Sequence, residues 1–174
     1  PEYPMSEIWE EDWLNRRYYG DLLPAAAERE LHLAARAYEQ DERAEEHLHS
    51  AIAIAPDHLA VYLGLYKFYF YKGRLREAVA TARICLQRSA AELGLDPDWR
   101  RVRPGDAQFG SFDAARARFY MFVLKAYGYI QLRLGRLEEG SMVLAKLLEL
   151  DPGDKIQARV LLDVVQRGGE NDDD

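Results

Sequence analysis

Apolar residues recur along this chain at every third or fourth position, the period of one helix face. Tyr62, Leu65, Tyr66 and Tyr69 form one such stripe, and Gly73 follows it. Leu75, Ala78, Val79, Ala82 and Leu86 form the next, directly after that glycine. The pair returns downstream. Leu124, Tyr127, Ile130 and Leu134 lead to Gly135, and Leu137, Val143, Leu144, Leu147 and Leu148 lead to Asp151-Pro152. Each glycine can end a helix in the left-handed conformation that side-chain-bearing residues avoid. Two stripes joined by so short a turn predict an antiparallel helix hairpin. The chain therefore reads as all-α.

The turns are spelled alike. "GRLREA" begins at Gly73 and "GRLEEG" at Gly135. Glu39 and Ala44 stand 34 residues before Gly73 and Ala78, and Pro56 closes that earlier unit as Pro152 closes the last. The interval from Pro56 to Pro152 is two periods of 34 with about 28 residues to spare. Three hairpins follow, with an insertion between the second and third. Ala44, Ala78 and Gly140 occupy equivalent places, where low side-chain volume lets the two helices of a pair approach closely.

This pattern resembles the tetratricopeptide repeat family, over roughly residues 25–90 and 121–152. Gly128, Gly135, Gly140 and Pro152 match that family's small, turn and proline positions in the third unit. Gly73 and Ala78 match in the second, where Tyr66 and Ala90 depart from it. Ala44 and Pro56 match in the first, where Glu39 replaces the turn glycine and His32 a small residue. The resemblance implies a right-handed superhelical stack of three hairpins. Its parts are an N-terminal arm (1–23), repeat 1 (24–56), repeat 2 (57–92), an insertion (93–112), repeat 3 (113–152), a capping helix (153–167) and an acidic tail (168–174).

The ends and the insertion carry their own signals. Ser6 can cap a short helix whose apolar side is Ile8, Trp9 and Trp13, a side that could pair two copies of the chain. Pro24 suits a first helical turn. Asp113 and Asp154 are placed to cap the helices that follow them, the latter over Lys155 to about Arg167. A loop near 20 residues is long for a compact domain, and such loops often carry function.

In the resembled family, the first helix of each pair lines a concave groove. The implied groove residues are Ala26, Arg29, Leu33 and Arg36, then Ala60, Leu63, Lys67 and Phe70, then Phe122, Lys125, Tyr129 and Leu132. The partner-binding candidates are Arg29, Arg36, Lys67, Phe70, Phe122, Lys125 and Tyr129: cations for carboxylates, rings for buried area. Such a groove suits an acidic or aromatic peptide of another protein, as in an adaptor or small chaperone. Chaperones of bacterial secretion translocators share this size and repeat number. The paired Lys and Asn of heat-shock carboxylate clamps are lacking; Leu33 and Gly64 stand where the asparagines belong. Trp99, Arg100, Arg101 and Arg103 in the insertion offer a second contact. "YYGDLLP" at Tyr18 and "AELGLDP" at Ala91 resemble the helical activator domain of bacterial transcription regulators, so a regulatory module acting through protein contacts is the alternative.

Composition narrows the choice. Net charge −7 opposes non-specific binding to nucleic acid or to an anionic membrane surface. No apolar run approaches the roughly 20 residues that span a bilayer. The four histidines include no HExxH pair, the lone Cys85 has no partner, and no glycine loop has P-loop form. No catalytic residue, metal site or cofactor is expected. Cys85 falls on an apolar stripe and reads as core. With one cysteine and no visible export signal, the expected compartment is the cytoplasm.

Overall fold

Gly73 and Gly135 end their helices in the same geometry, with φ of +73° and +79°. Gly73 N donates to Phe70 O at 3.0 Å and Arg74 N to Tyr69 O at 2.8 Å. Gly135 N donates to Leu132 O at 3.0 Å and Arg136 N to Gln131 O at 2.8 Å. The bonds from Arg74 and Arg136, which reach five residues back, satisfy carbonyls that the helix ends leave open.

The computed structural model describes residues 23–111 and 113–171. Among them are seven α-helices: α1 Ala25–Arg36, α2 Asp41–Ile54, α3 Leu59–Tyr71, α4 Leu75–Leu93, α5 Ala115–Arg133, α6 Leu137–Leu150 and α7 Ala158–Asn171. Single 3-10 turns lie at Trp99–Arg101 and Pro104–Asp106. The described residues are thus all-α, built from tandem helix hairpins. The readings placed on Ser6, Trp9, Trp13, most of the Tyr18 phrase and residues 172–174 lie outside the described residues. The chain divides into two compact units after Thr81.

In the first unit α1 packs along α2, and α2 against α3. Ala27, Ala44 and Ala51 are fully buried, so the axes close on small side chains. His47 Nδ1 lies 2.7 Å from Glu30 Oε2 across that pair. The turn between α1 and α2 uses ordinary backbone: Ala37 N donates to Leu33 O and Gln40 N to Ala37 O, with no positive φ at Glu39. Glu39 can therefore stand where the other hairpins have glycine. Lys72 ties the next turn to this one, 2.9 Å from Asp41 Oδ1 and 3.9 Å above the Tyr38 ring. Arg74 pairs with Glu45 and Glu77 and lies 4.7 Å over Tyr69. His58 caps α3, its Nδ1 accepting from Ala60 N at 3.1 Å.

In the second unit α5 packs on α6, and α6 on α7. Every residue from Ala117 to Gln131 is buried. Gly128 and Gly140 mark the crossing of α5 and α6. A Cβ on Gly128 would stand 2.7 Å from Val143 Cγ1. Larger residues at either place would push the helices apart.

Several sequence expectations shift here. Asp113 does not cap α5, which begins at Ala115 after Ala114 with no side-chain cap. Pro24 precedes α1 as its cap residue instead of lying in the first turn. Asp154 does cap α7, accepting from Ala158 N at 2.6 Å and Arg159 N at 3.0 Å, but the helix starts at Ala158, three residues later than Lys155. Asp151 sets that spacing: buried, it accepts from Gly153 N at 3.1 Å and Lys155 N at 2.9 Å, holding 153–157 in turns. The helix also continues to Asn171, taking in part of the stretch read as tail.

Candidate functional site

Among the described residues of the first unit an apolar cavity of about 670 Å³ opens between α1 and α3. α1 contributes Glu28, Leu31, His32, Ala34 and Ala35; α3 contributes Ala60, Leu63, Gly64, Lys67, Phe68 and Tyr71; Leu23, Tyr38 and Leu48 also line it. Its size falls in the range of ligand-binding clefts. Gly64 lets α3 lie close against Leu31 and Leu48, since a Cβ there would stand 3.0 Å from Leu31 Cδ2 and 3.5 Å from Leu48 Cδ2. The charged groups are few: Lys67, half-buried, with Glu28 and His32 forming an exposed pair 3.7 Å apart.

Of the expected groove residues, Ala60, Leu63 and Lys67 line this cavity, and Arg29 and Arg36 do not. Both arginines are exposed on α1. The helix is turned about one residue from the expected register. With Ala27 taken into the core, residues 28, 31, 32, 34 and 35 meet the cavity instead of 26, 29, 33 and 36. Phe70 lies off the wall, stacked on Tyr66 with centroids 6.1 Å apart.

The expected residues of the third hairpin are placed differently again. Phe122, Lys125 and Tyr129 are 3%, 6% and 5% exposed. They form no solvent-facing wall, because α5 is enclosed along almost its whole length. Lys125 donates from Nζ to Ile156 O at 2.5 Å, so the charged end is spent on the backbone that leads into α7. The Tyr129 phenolic oxygen, Oη, accepts from Arg133 Nη1 at 3.5 Å.

The insertion packs onto its own unit. Leu95, Trp99, Val102 and Phe109 are buried, each contributing about 1.5–3 kcal/mol of transfer free energy. Arg100 covers Trp99 at 4.5 Å, and its Nη2 donates to both carboxylate oxygens of Glu139, at 2.8 and 2.7 Å. Tyr127 donates to the same carboxylate at 3.0 Å. Lys146 Nζ donates to Val102 O at 2.9 Å, and Lys155 to Gly110 O. Trp99 is therefore buried and Arg100, though exposed, is engaged by Glu139, whereas Arg101 and Arg103 are exposed.

No group of three or more His, Cys, Asp or Glu among the described residues could hold a metal ion. Cys85 is 1% exposed, and burial pushes its thiol up to about 12, so it stays protonated and unreactive at neutral pH. Burial, with Asp98 and Asp96 nearby, also raises the Tyr120 phenol. Among the described residues no helix is long and apolar enough to cross a membrane.

The sequence reading missed Leu31, His32, Gly64 and Tyr71 as cavity residues. Gly64 was the available signal, a glycine inside an apolar helical run without a turn to explain it. No protein-family model matches the chain, and no solved structure matches it significantly. It is 41% identical over 123 residues to the "uncharacterized 19.8 kDa protein in nifW 5′ region" of Azotobacter chroococcum mcd 1, an alignment covering 70% of this chain and 69% of that protein. With identity sustained over more than two thirds of both chains, this protein belongs to the family of that Azotobacter protein.

Proposed function

We propose that the chain is a non-catalytic, tetratricopeptide-like binding module that takes an apolar or aromatic segment of another protein into the cavity between α1 and α3. It would act as an adaptor or small chaperone, in the cytoplasm, with its hairpins stacked in a right-handed sense. One observation carries this reading: a cavity of about 670 Å³ with apolar walls and a half-buried cation, Lys67, on its lining. Apolar area would supply most of the affinity, and Lys67 would select a carboxylate on the incoming segment. A buried thiol kept protonated supports the non-catalytic role.

The test is panning of the full chain against a random dodecapeptide library. Selected peptides should carry an aromatic residue beside an acidic one. Their affinity should fall about tenfold on Lys67→Glu and further on Tyr71→Glu, with helix content unchanged. No enrichment, or binding indifferent to both changes, would remove the cavity as a partner site.

A further inference from the structure

Arg101 and Arg103 stand on either side of Val102, which is fully buried, and both are exposed. Val102 and Arg103 have extended backbone, so the α-carbons of the two arginines lie ~6–7 Å apart and both side chains leave the core. The chain fixes this short run from beneath. Arg101 N donates to Asp98 O at 3.0 Å, Val102 N to Trp99 O at 3.2 Å and Arg103 N to Asp106 Oδ2 at 2.8 Å. Val102 O accepts from Lys146 Nζ at 2.9 Å. The backbone is thus satisfied within the second unit, and only the two side chains are left to meet something else.

That is unusual for this chain. Carboxylates outnumber lysine and arginine by 30 to 23, and neighbouring cations are held by them. Arg100 is paired with Asp98 and Glu139, and Lys146 with Glu149. Among the described residues neither the Arg101 nor the Arg103 guanidinium has an ion-pair partner. A guanidinium takes a carboxylate through two parallel hydrogen bonds, and a fixed backbone lowers the ordering cost of doing so. Alternate residues of an extended peptide fall on one side at ~6.5–7 Å, the same interval as the two arginines. Asp106, exposed beside Arg103, offsets part of the charge, so the selectivity must come from close contact and spacing more than from attraction at a distance.

We propose that Arg101 and Arg103 receive an extended acidic segment of a partner protein, with carboxylates at alternate positions, one to each guanidinium. The surface belongs to the second unit and stands or falls independently of the α1–α3 cavity.

Fluorescence anisotropy on the full chain tests it with two labelled peptides of one composition. One alternates Glu and Ser; the other carries the same residues as a Glu block followed by a Ser block. The alternating peptide should bind about fivefold more tightly than the block peptide. Arg101→Ser/Arg103→Ser should weaken it about tenfold with circular dichroism unchanged. Arg29→Ser/Arg36→Ser removes the same charge from two exposed positions on α1 and should leave the affinity nearly as it was. Equal loss in the two double variants overturns the proposal, because the peptide then responds to overall charge. Equal affinity for the two peptides, or no binding of either, overturns it as well. So does tighter binding of an oligothymidylate of matching charge, which would assign the arginines to nucleic acid. Tyr71→Glu in the cavity should not alter the affinity; a loss there would place the peptide in the cavity and remove it from the arginines.

Discussion

Gly140 on α6 faces Gly128 on α5 so closely that a Cβ on Gly140 would stand 3.1 Å from the Gly128 carbonyl oxygen. The same Cβ would collide with the Leu132 side chain. Backbone cannot yield as a flexible side chain can, so the pair sets how near the two axes lie. Gly140→Val should cost about 1–3 kcal/mol through overpacking. Thermal unfolding checks this, at about 2–4 °C of Tm per kcal/mol for a chain of this size. Val at the solvent-facing Ala145 is the control and should change Tm by far less.

Arg100 fastens the insertion to α6 through Glu139, a carboxylate that also accepts from Tyr127. Both ends are partly exposed, so the pair contributes modestly, about 1 kcal/mol or less. Its loss should show locally before it shows globally. Arg100→Ala should speed tryptic cleavage after Arg101 several-fold while Tm falls by only a few degrees. Raised salt should produce a weaker form of the same change in the wild type.

Lys125 is a buried cation held by the Ile156 carbonyl. Lys125→Met keeps the stem but leaves that carbonyl short of a partner, for a loss of about 1–3 kcal/mol. Lys125→Glu should be worse, placing a carboxylate against a carbonyl oxygen. Chemical denaturation with urea orders the three proteins. Equal stability of Lys125→Glu and wild type would contradict the buried placement.

Alkaline pH should destabilise the fold through Cys85. Its thiol ionises near 12 in the folded chain and near its ordinary value of 9.0 when unfolded. Between those values the unfolded state binds fewer protons than the folded state, so stability declines as pH rises. The slope from this group is about 1.4 kcal/mol per pH unit. Tyr120, also raised by burial, adds a decline of the same sign above its ordinary 10.0. Cys85→Ala should flatten the profile between pH 9 and 11, measured by urea denaturation at each pH. An unchanged slope would show that the thiol is not sequestered.

The hairpins were readable in sequence because each local signal agreed with its neighbours. Gly73 and Gly135 had to be glycine for their turns, and Gly128 and Gly140 had to be small for their crossing. Where the deciding interaction is distant, the pattern was silent. Nothing near Arg100 announces Glu139, and nothing near Lys125 announces Ile156. A lysine inside a helix reads as solvent-facing by residue type, yet α5 is enclosed from Ala117 to Gln131 and has no polar side to betray its orientation. The cavity was half legible. The α3 positions Ala60, Leu63 and Lys67 were found, but a turn of α1 by about one residue moved Arg29 and Arg36 off the wall. Helical periodicity fixes which residues share a face; the alanines that dock α1 fix where that face points.

The insertion leaves the chain after α4 and rejoins it before α5, so it interrupts no hairpin. Its buried anchors, Trp99, Val102 and Phe109, are supplied from within, and its outward bonds end on α6 and the turn before α7. Growth at such a seam leaves both neighbouring glycine joints untouched. Relatives can therefore lengthen, shorten or recharge this stretch as a separable ornament, and α5 and α6 beyond it will still close as they do here.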